Sequence, residues 1–125
     1  QYQEETAHAL KIFDYVLERG GTVNLEKIDT PPHSWTDIID VFENVLKHEQ
    51  HVTSLIHNLV GIAMAEKDYA TVNMLQWFVN EQVEEEASAT EILEQLKSFD
   101  GKGAPLFFMD KELKQRVFVP IDNAE

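Results

Sequence analysis

Apolar residues recur at alternating steps of four and three between residues 38 and 63, which is the spacing of one buried face of an α-helix. The repeat consists of Ile38, Phe42, Val45, Glu49, Val52, Ile56, Leu59 and Ala63. Glu49 interrupts this apolar seam near its middle, and burial of a carboxylate without a partner costs several kcal/mol. The pattern therefore predicts a long helix that carries a carboxylate in its core face for a functional reason.

Polar residues occupy core positions in two further segments of helical spacing. Residues 75–96 repeat the steps of three and four through Leu75, Phe78, Gln82, Glu85, Ala89, Ile92 and Leu96. The opening segment places Glu5, His8, Ile12 and Tyr15 on one helical face. Chance placement in all three segments is improbable, because each buried polar group costs free energy. A metal site shared by the three helices would remove that cost.

Capping residues divide the chain into predicted helices. The first helix ends at Gly20-Gly21, which is a typical C-cap signal. Ser34 is the predicted N-cap of the second helix, because Asp37 three residues later resembles the partner in a capping box. A brief break at residues 67–69 separates the second helix from the third. The predicted helices span residues 1–19, 35–66, 70–99 and 104–113.

The connections between these helices predict the topology. A short turn makes the second and third helices antiparallel neighbours. Residues 22–33 contain Pro31-Pro32, which favours an extended path, and are predicted to form a long crossover. An all-α bundle with one long crossover is the ferritin-like arrangement. Residues 1–99 are predicted to form a partial bundle, and residues 100–125 a short C-terminal helix and tail of the same domain.

Composition narrows the classes of function. The chain has 125 residues and 43% hydrophobic content, which is enough for one buried core. Ten Lys and Arg stand against 23 Asp and Glu, a formal net charge of -13, which disfavours nucleic acid and anionic membranes and attracts cations. The absence of Cys excludes disulfides and thiolate metal sites. Neither an apolar stretch of about 18 residues nor a signal-peptide pattern is found, so we expect no membrane span and a cytoplasmic location.

The spacing of Glu5 and His8 predicts metal binding. A carboxylate and an imidazole three residues apart on a helix can reach one ion, and this E-x-x-H pattern recurs in carboxylate di-iron sites. A solvated helix face with an ordinary histidine is the alternative interpretation. Glu49 could likewise be one more exposed charge among polar neighbours, and residues 81–86, which include four Glu, could be an acidic surface patch.

Several motifs together resemble the bacterial-type non-haem ferritins. The resemblance rests on QYQEETAH followed by FDYV, on LQWFVNEQVEEE and on the C-terminal FFMDKEL, and it covers nearly all of the chain. It implies a four-helix bundle with a short additional helix, assembled as a homo-oligomer into a hollow octahedral cage, a 24-mer. It also implies that the protein oxidises Fe(II) with O2 or peroxide and stores the ferric mineral.

The resemblance also implies a role for each candidate ligand. Glu5 would bridge two irons and His8 would bind the first of them. Glu49 and Glu85 would bind the second iron, and Gln82 would stand beside it and orient ligands or oxygen. A nearby third iron position corresponds to Glu4, Glu81 and Glu84. The third helix lacks the His of a second E-x-x-H pattern, so the chain resembles non-haem ferritin more than bacterioferritin, and no haem is expected.

One part of the ferritin pattern has no counterpart in these residues. The family's first helix carries a further Glu ligand for the first iron, whereas this sequence begins inside what corresponds to the second helix. We therefore expect the first iron position to keep only Glu5 and His8 and the oxidation rate to fall. An apolar strip that includes Leu10, Phe13 and Leu17 is expected to be covered by a separate N-terminal fragment or by a neighbouring subunit.

Two other classes of protein fit parts of the pattern. A non-enzymatic helical interaction module could use polar core residues to fix the register of its helices. Another di-iron carboxylate oxidase or peroxidase would need a substrate pocket or a second E-x-x-H pattern. Iron binding and oxidation distinguish these classes from an iron-storage protein.

Overall fold

The computed structural model describes residues 2–115 and Val117, and over these residues the chain is helical without strands. The helices are α1 (Tyr2–Glu18), α2 (Ile38–Ala65), α3 (Tyr69–Ser98) and α4 (Ala104–Leu113). The predicted all-α class is confirmed. Gln1, the predicted start of the first helix, and most of the predicted tail lie outside the described residues. No helix in the described part of the chain is long and apolar enough to cross a membrane.

The described residues group into two compact units. One unit is His33–Met109, which contains α2, α3 and most of α4. The other contains the described residues up to Pro32, with α1, and those from Asp110 onward. The predicted division of the chain at residue 99 stays a prediction.

The end of α1 is set by the glycine pair that predicted it. Gly20 adopts a φ of 74°, a left-handed conformation that glycine reaches without steric cost. The Gly21 N–H donates to the Val16 carbonyl at 2.8 Å, and the Gly20 N–H donates to the Leu17 carbonyl at 2.9 Å. These paired bonds form a Schellman motif, which satisfies the last carbonyls of the helix.

The start of α2 differs from the prediction. Asp37, and not Ser34, is the N-cap, and its side chain accepts a hydrogen bond from the Asp40 N–H at 2.9 Å. Asp40 in turn accepts from the Thr36 N–H at 2.9 Å, so two backbone donors are satisfied reciprocally. This two-aspartate arrangement begins the helix at Ile38, three residues after the predicted start at Trp35.

The turn between α2 and α3 has a single residue with two capping roles. The Asp68 N–H closes α2 by donating to the Ala63 carbonyl at 2.9 Å, and Lys67 before it has a φ of 57°. The Asp68 side chain also caps α3, accepting from the Thr71 N–H at 3.2 Å and from the Thr71 hydroxyl at 2.6 Å. The predicted break is present but lies at residues 66–68 and not 67–69, because Asp68 caps α3 from Tyr69 onward. So short a turn makes α2 and α3 antiparallel.

Only part of the predicted α2 seam is covered. Glu49, Ile56 and Ala63 are buried, whereas Val45 and Leu59 are 37% and 44% exposed. The buried residues are spaced by seven and define the α2 face that packs on α3. The buried apolar residues of this unit are Ile56, Ala63, Leu75, Phe78, Ala89, Leu93, Leu96 and Met109.

The other unit contributes exposed apolar residues of its own. In α1, Leu10 is 53% and Leu17 is 49% exposed, while Phe13 is half-buried. These residues are part of the predicted apolar strip. The identity of its cover stays a prediction.

Gly101, immediately after α3, is a position where a side chain should be harmful. Its φ is 62°, and an added Cβ would lie 2.7 Å from Cγ2 of Ile38. We expect Gly101→Ala to lower the free energy of unfolding by about 1–3 kcal/mol through backbone strain and crowding. Gly61→Ala is the matched control, because Gly61 lies inside α2 with nothing within 4 Å of an added Cβ.

Thermal unfolding of the metal-free proteins at equal concentration tests this expectation. Gly61→Ala should raise the stability by about 0.5–1 kcal/mol, since alanine is the better helix former. Gly101→Ala should melt below the parent protein. A Gly101→Ala protein that melts at or above the parent temperature would contradict the close approach of Gly101 to Ile38.

Candidate metal site

Glu49 is a carboxylate in the interior of the α2–α3 pair. It is 7% exposed and belongs to the α2 face that carries Ile56 and Ala63. The prediction that Glu49 lies in the core face of its helix is confirmed. Carboxylate oxygens are suitable ligands for hard or borderline cations. Because Glu49 is buried, water has little access to its carboxylate.

Gln82 of α3 meets Glu49 across the helix pair. Its side chain is 6% exposed, and its Nε2 donates to the Glu49 carbonyl at 3.1 Å. The same nitrogen lies 3.5 Å from Glu49 Oε2 and 3.3 Å from the Thr53 hydroxyl oxygen. The amide of Gln82 therefore contacts both the backbone and the carboxylate of the candidate ligand.

Thr53 and Glu86 extend this network, and the sequence interpretation did not single them out. The Thr53 hydroxyl lies 2.5 Å from Glu86 Oε1 and 3.0 Å from the Glu49 carbonyl oxygen. Thr53 follows Glu49 by one helical turn, and Glu86 follows Gln82 by one turn. The sequence signal for this contact is the shared spacing of four residues. If Glu49 meets Gln82 across the helix pair, the residues one turn further along each helix, Thr53 and Glu86, can also meet.

The remaining candidates on α3 differ in exposure. Glu85, one turn beyond Gln82, is half-buried, as is Glu81. Glu84 is exposed. These residues lie within a run in which four of six residues, from 81 to 86, are Glu. Negative charge is therefore concentrated along one part of α3, where a cation would reduce the mutual repulsion of the carboxylates.

Glu5 and His8 form a pair on α1, as predicted. His8 Nδ1 lies 3.8 Å from Glu5 Oε2, and the two side chains are 14% and 54% exposed. Neighbouring ligand atoms on an octahedral divalent ion with bonds of about 2.1 Å are about 3 Å apart, so a small rotation would suffice for both to bind one ion. Glu4, the neighbouring candidate, is half-buried.

The described residues do not bring three metal ligands together. Among them, no three Asp, Glu or His side chains are grouped closely enough to hold one ion. Two partial sites are present instead: the pair on α1, and Glu49 with Gln82 between α2 and α3. The predicted convergence of Glu5, His8, Glu49 and Glu85 stays a prediction. Within the same described residues, every buried side-chain nitrogen and oxygen has a hydrogen-bond partner, so ion binding would exchange hydrogen bonds for coordination.

A helical pair with a buried carboxylate, preceded by a helix that carries an E-x-x-H pair, defines a class of metal-binding helical bundles. Comparison with known proteins gives the family. The Ferritin-like domain family matches residues 1–99. This chain belongs to that family.

Curated relatives in bacteria support the assignment. The chain is 47% identical over 116 residues to the bacterial non-heme ferritin of Bacteroides fragilis (strain 638R), an alignment that covers 93% of this chain and 72% of that protein. It is 37% identical over 111 residues to the bacterial non-heme ferritin of Escherichia coli O157:H7, covering 89% of this chain and 67% of that protein.

Solved structures agree with this relationship. An engineered closed form of the Archaeoglobus fulgidus ferritin is 53% identical with a TM-score of 0.92, covering 95% of this chain and 73% of that chain. An open pore ferritin from the same archaeon is 52% identical with a TM-score of 0.91, covering 94% and 72%. The fold is therefore the ferritin-like helical bundle, as predicted, and the resemblance to non-haem ferritins is confirmed.

Proposed function

We propose that this chain is a subunit of an iron-storage protein that oxidises Fe(II) and retains the ferric mineral. The observation that supports this function best is the buried Glu49 carboxylate, 7% exposed and contacted by the Gln82 amide, in a chain of the ferritin-like family. A buried carboxylate beside a neutral amide is costly in a metal-free core and becomes favourable when a cation binds.

The proposed site assigns each residue a role in binding the Fe(II) substrate. Glu5 bridges two iron positions, and His8 binds the first. Glu49 and Glu85 bind the second, and Gln82 orients groups beside it. Carboxylate and imidazole ligands suit iron, and two bound ions can together supply electrons to O2 or peroxide. A third iron position is proposed at Glu4, Glu81 and Glu84.

The charge of the chain favours this function. A formal net charge of -13 raises the local concentration of cations around the protein. The four Glu residues between positions 81 and 86 add carboxylate density near Gln82. Hard oxygen donors at this density also suit the more highly charged Fe(III).

Assembly and location complete the proposal. The curated relatives and the solved structures similar to this chain are ferritins, and we place this chain in a homo-oligomeric cage of the same kind, in the cytoplasm. The exposed apolar side chains Leu55 and Ile62 on α2, at 49% and 53%, would be covered in such an assembly or by a further helix.

A helical interaction module is the second candidate, and one contact favours it. The Gln82 amide donates to the Glu49 backbone at 3.1 Å, which is the kind of interhelical bond that fixes register. Such a bond requires no metal. Iron storage therefore requires that the protein bind and oxidise Fe(II), whereas a helical interaction module requires neither.

Anaerobic Fe(II) titration followed by admission of air tests the proposal. An iron-storage protein should bind Fe(II) at saturable sites without O2 and should form protein-retained Fe(III) mineral when air is admitted. Binding without oxidation would indicate a metal site that lacks the oxidase function. A protein that neither binds nor oxidises Fe(II) would contradict the proposal and favour the interaction module.

A further inference from the structure

Thr53 belongs to a cluster of four polar side chains between α2 and α3, together with Glu49, Gln82 and Glu86, and its hydroxyl touches each of the other three residues. It is 2.5 Å from Glu86 Oε1, 3.3 Å from Gln82 Nε2 and 3.0 Å from the Glu49 carbonyl oxygen. Thr53 and Glu86 are half-buried, whereas Glu49 and Gln82 are buried. The hydroxyl is thus the link between Glu86, a residue with no assigned role, and the candidate iron site.

Hydrogen-bond chemistry determines the direction of each contact. A hydroxyl has one proton to donate, and a carboxylate oxygen only accepts. The 2.5 Å separation from Glu86 Oε1 is the length of a charge-assisted O–H···O bond, so the Thr53 proton is donated there. The Thr53 oxygen is then an acceptor, and Gln82 Nε2 is the donor that faces it.

This arrangement fixes the orientation of the Gln82 amide. Nε2 faces the Glu49 carbonyl oxygen, the Glu49 carboxylate and the Thr53 oxygen, which are three acceptors. A flipped amide would place Oε1 against these oxygens and lose the donor that each of them uses. The carboxylate of Glu86 therefore acts on Gln82 through the proton of Thr53.

We propose that Thr53 and Glu86 are positioning residues that hold Gln82 in one amide orientation and, through it, orient Glu49 toward iron. This inference rests on the proposed function, because the oriented residues are the candidate iron-binding residues. Hydrogen bonds to a ligand's distal atoms set its direction and basicity, and their loss costs about 10–100-fold in metal affinity or activity. With Nε2 facing the three acceptors, Gln82 Oε1 is the atom of this amide left to accept a hydrogen bond or bind a cation.

Substitution of Thr53 tests the inference. Thr53→Val keeps the branched shape and removes the hydroxyl, whereas Thr53→Ser keeps the hydroxyl. Ser54→Ala is the matched control, because the neighbouring Ser54 hydroxyl donates to the His51 carbonyl at 2.6 Å and belongs to a separate contact. Glu86→Ala removes the acceptor of the Thr53 proton and keeps Thr53, so it carries the test if Thr53→Val fails to fold.

Two readouts are measured on the full protein: Co2+ titration followed by the visible absorption of the bound ion, and the initial rate of Fe(II) oxidation in air. Thr53→Val and Glu86→Ala should each weaken Co2+ binding and slow oxidation by about 10-fold and alter the Co2+ spectrum. Thr53→Ser and Ser54→Ala should match the parent protein. A purely structural tie between the helices would change the melting temperature and leave the Co2+ spectrum unaltered.

The outcomes separate the inference from the function on which it rests. If the parent binds Co2+ and oxidises Fe(II) but Thr53→Val and Glu86→Ala match it in both readouts, the positioning inference is overturned and the function stands. If the parent binds Co2+ without oxidising Fe(II), the proposed oxidation fails and the Co2+ data alone decide the inference. If the parent oxidises Fe(II) without binding Co2+, the oxidation rates alone decide the inference. A parent that neither binds Co2+ nor oxidises Fe(II) overturns both.

Discussion

Glu49→Gln should reduce the rate of Fe(II) oxidation by about 100-fold or more, because it removes the charge and a ligand oxygen of a buried candidate ligand. The substitution keeps the size of the side chain, which is 7% exposed and lies beside Gln82. The metal-free protein should be as stable as the parent or more stable, since one buried carboxylate is replaced by a neutral amide. Initial rates of Fe(III) formation and metal-free melting temperatures measure the two effects.

Glu43→Gln is the matched control for this substitution. Glu43 lies on the same helix, and its carboxylate is 2.7 Å from Lys97 Nζ, with the Glu43 side chain 40% exposed. Exposed ion pairs contribute about 0–1 kcal/mol, so this variant should retain both the fold and the oxidation rate. Equal rates for the parent and Glu49→Gln would exclude Glu49 as a ligand.

Glu85→Ala should slow Fe(II) oxidation by about 10–100-fold while leaving the metal-free fold intact or more stable. Glu85 is half-buried within the run of four Glu residues between positions 81 and 86. Its removal relieves repulsion in the metal-free protein and deletes a ligand from the iron-loaded one. The melting temperature of the metal-free protein and the oxidation rate should therefore move in opposite directions.

Glu94→Ala provides the comparison on the same helix, because Glu94 is an exposed acidic residue of α3 beyond the acidic run. It should leave the oxidation rate at the parent value. A Glu85→Ala protein that oxidises Fe(II) as fast as Glu94→Ala would show that Glu85 is not a ligand.

The helices of this fold were largely predictable because their ends have local signals. Gly20-Gly21 closes α1 through its own backbone bonds, and Asp68 caps two helices within one turn. The start of α2 was predicted wrongly, because two nearby residues can each cap the helix. Ser34 and Asp37 are both good capping residues, and the choice between them depends on whether Asp40 bonds back to Thr36, which spacing alone does not show.

Burial of the candidate site was predictable only in part. The regular spacing placed Glu49 in the core, and the structure buries it. The same spacing placed Val45 and Leu59 there too, yet they are 37% and 44% exposed. The apolar face of α2 is wider than the surface that α3 covers. A single-helix pattern identifies an apolar face but cannot tell which neighbour covers each part of it.

Thr53 and Glu86 were missed because their significance depends on a contact between helices. Threonine in a helix is ordinarily expected to bond its own backbone, and Thr53 indeed lies 3.0 Å from the carbonyl oxygen of Glu49. Its bond to Glu86 joins residues 33 positions apart in sequence. Glu86 in turn was one acid among several in an acidic run, and its spacing of four from Gln82 becomes informative only once α3 is known to pair with α2.

We propose that Glu5, His8, Glu49 and Glu85 bind iron together. The most direct test is a crystal structure after anaerobic soaking in Fe(II), with anomalous scattering recorded on both sides of the iron absorption edge. We expect iron density bound by Glu49 and Glu85 and by the Glu5–His8 pair, with the Glu49 and Glu85 carboxylates within about 8 Å of each other, as a two-metal site requires. Iron density confined to other surface carboxylates, or a Glu49 carboxylate directed to bulk solvent, would contradict it.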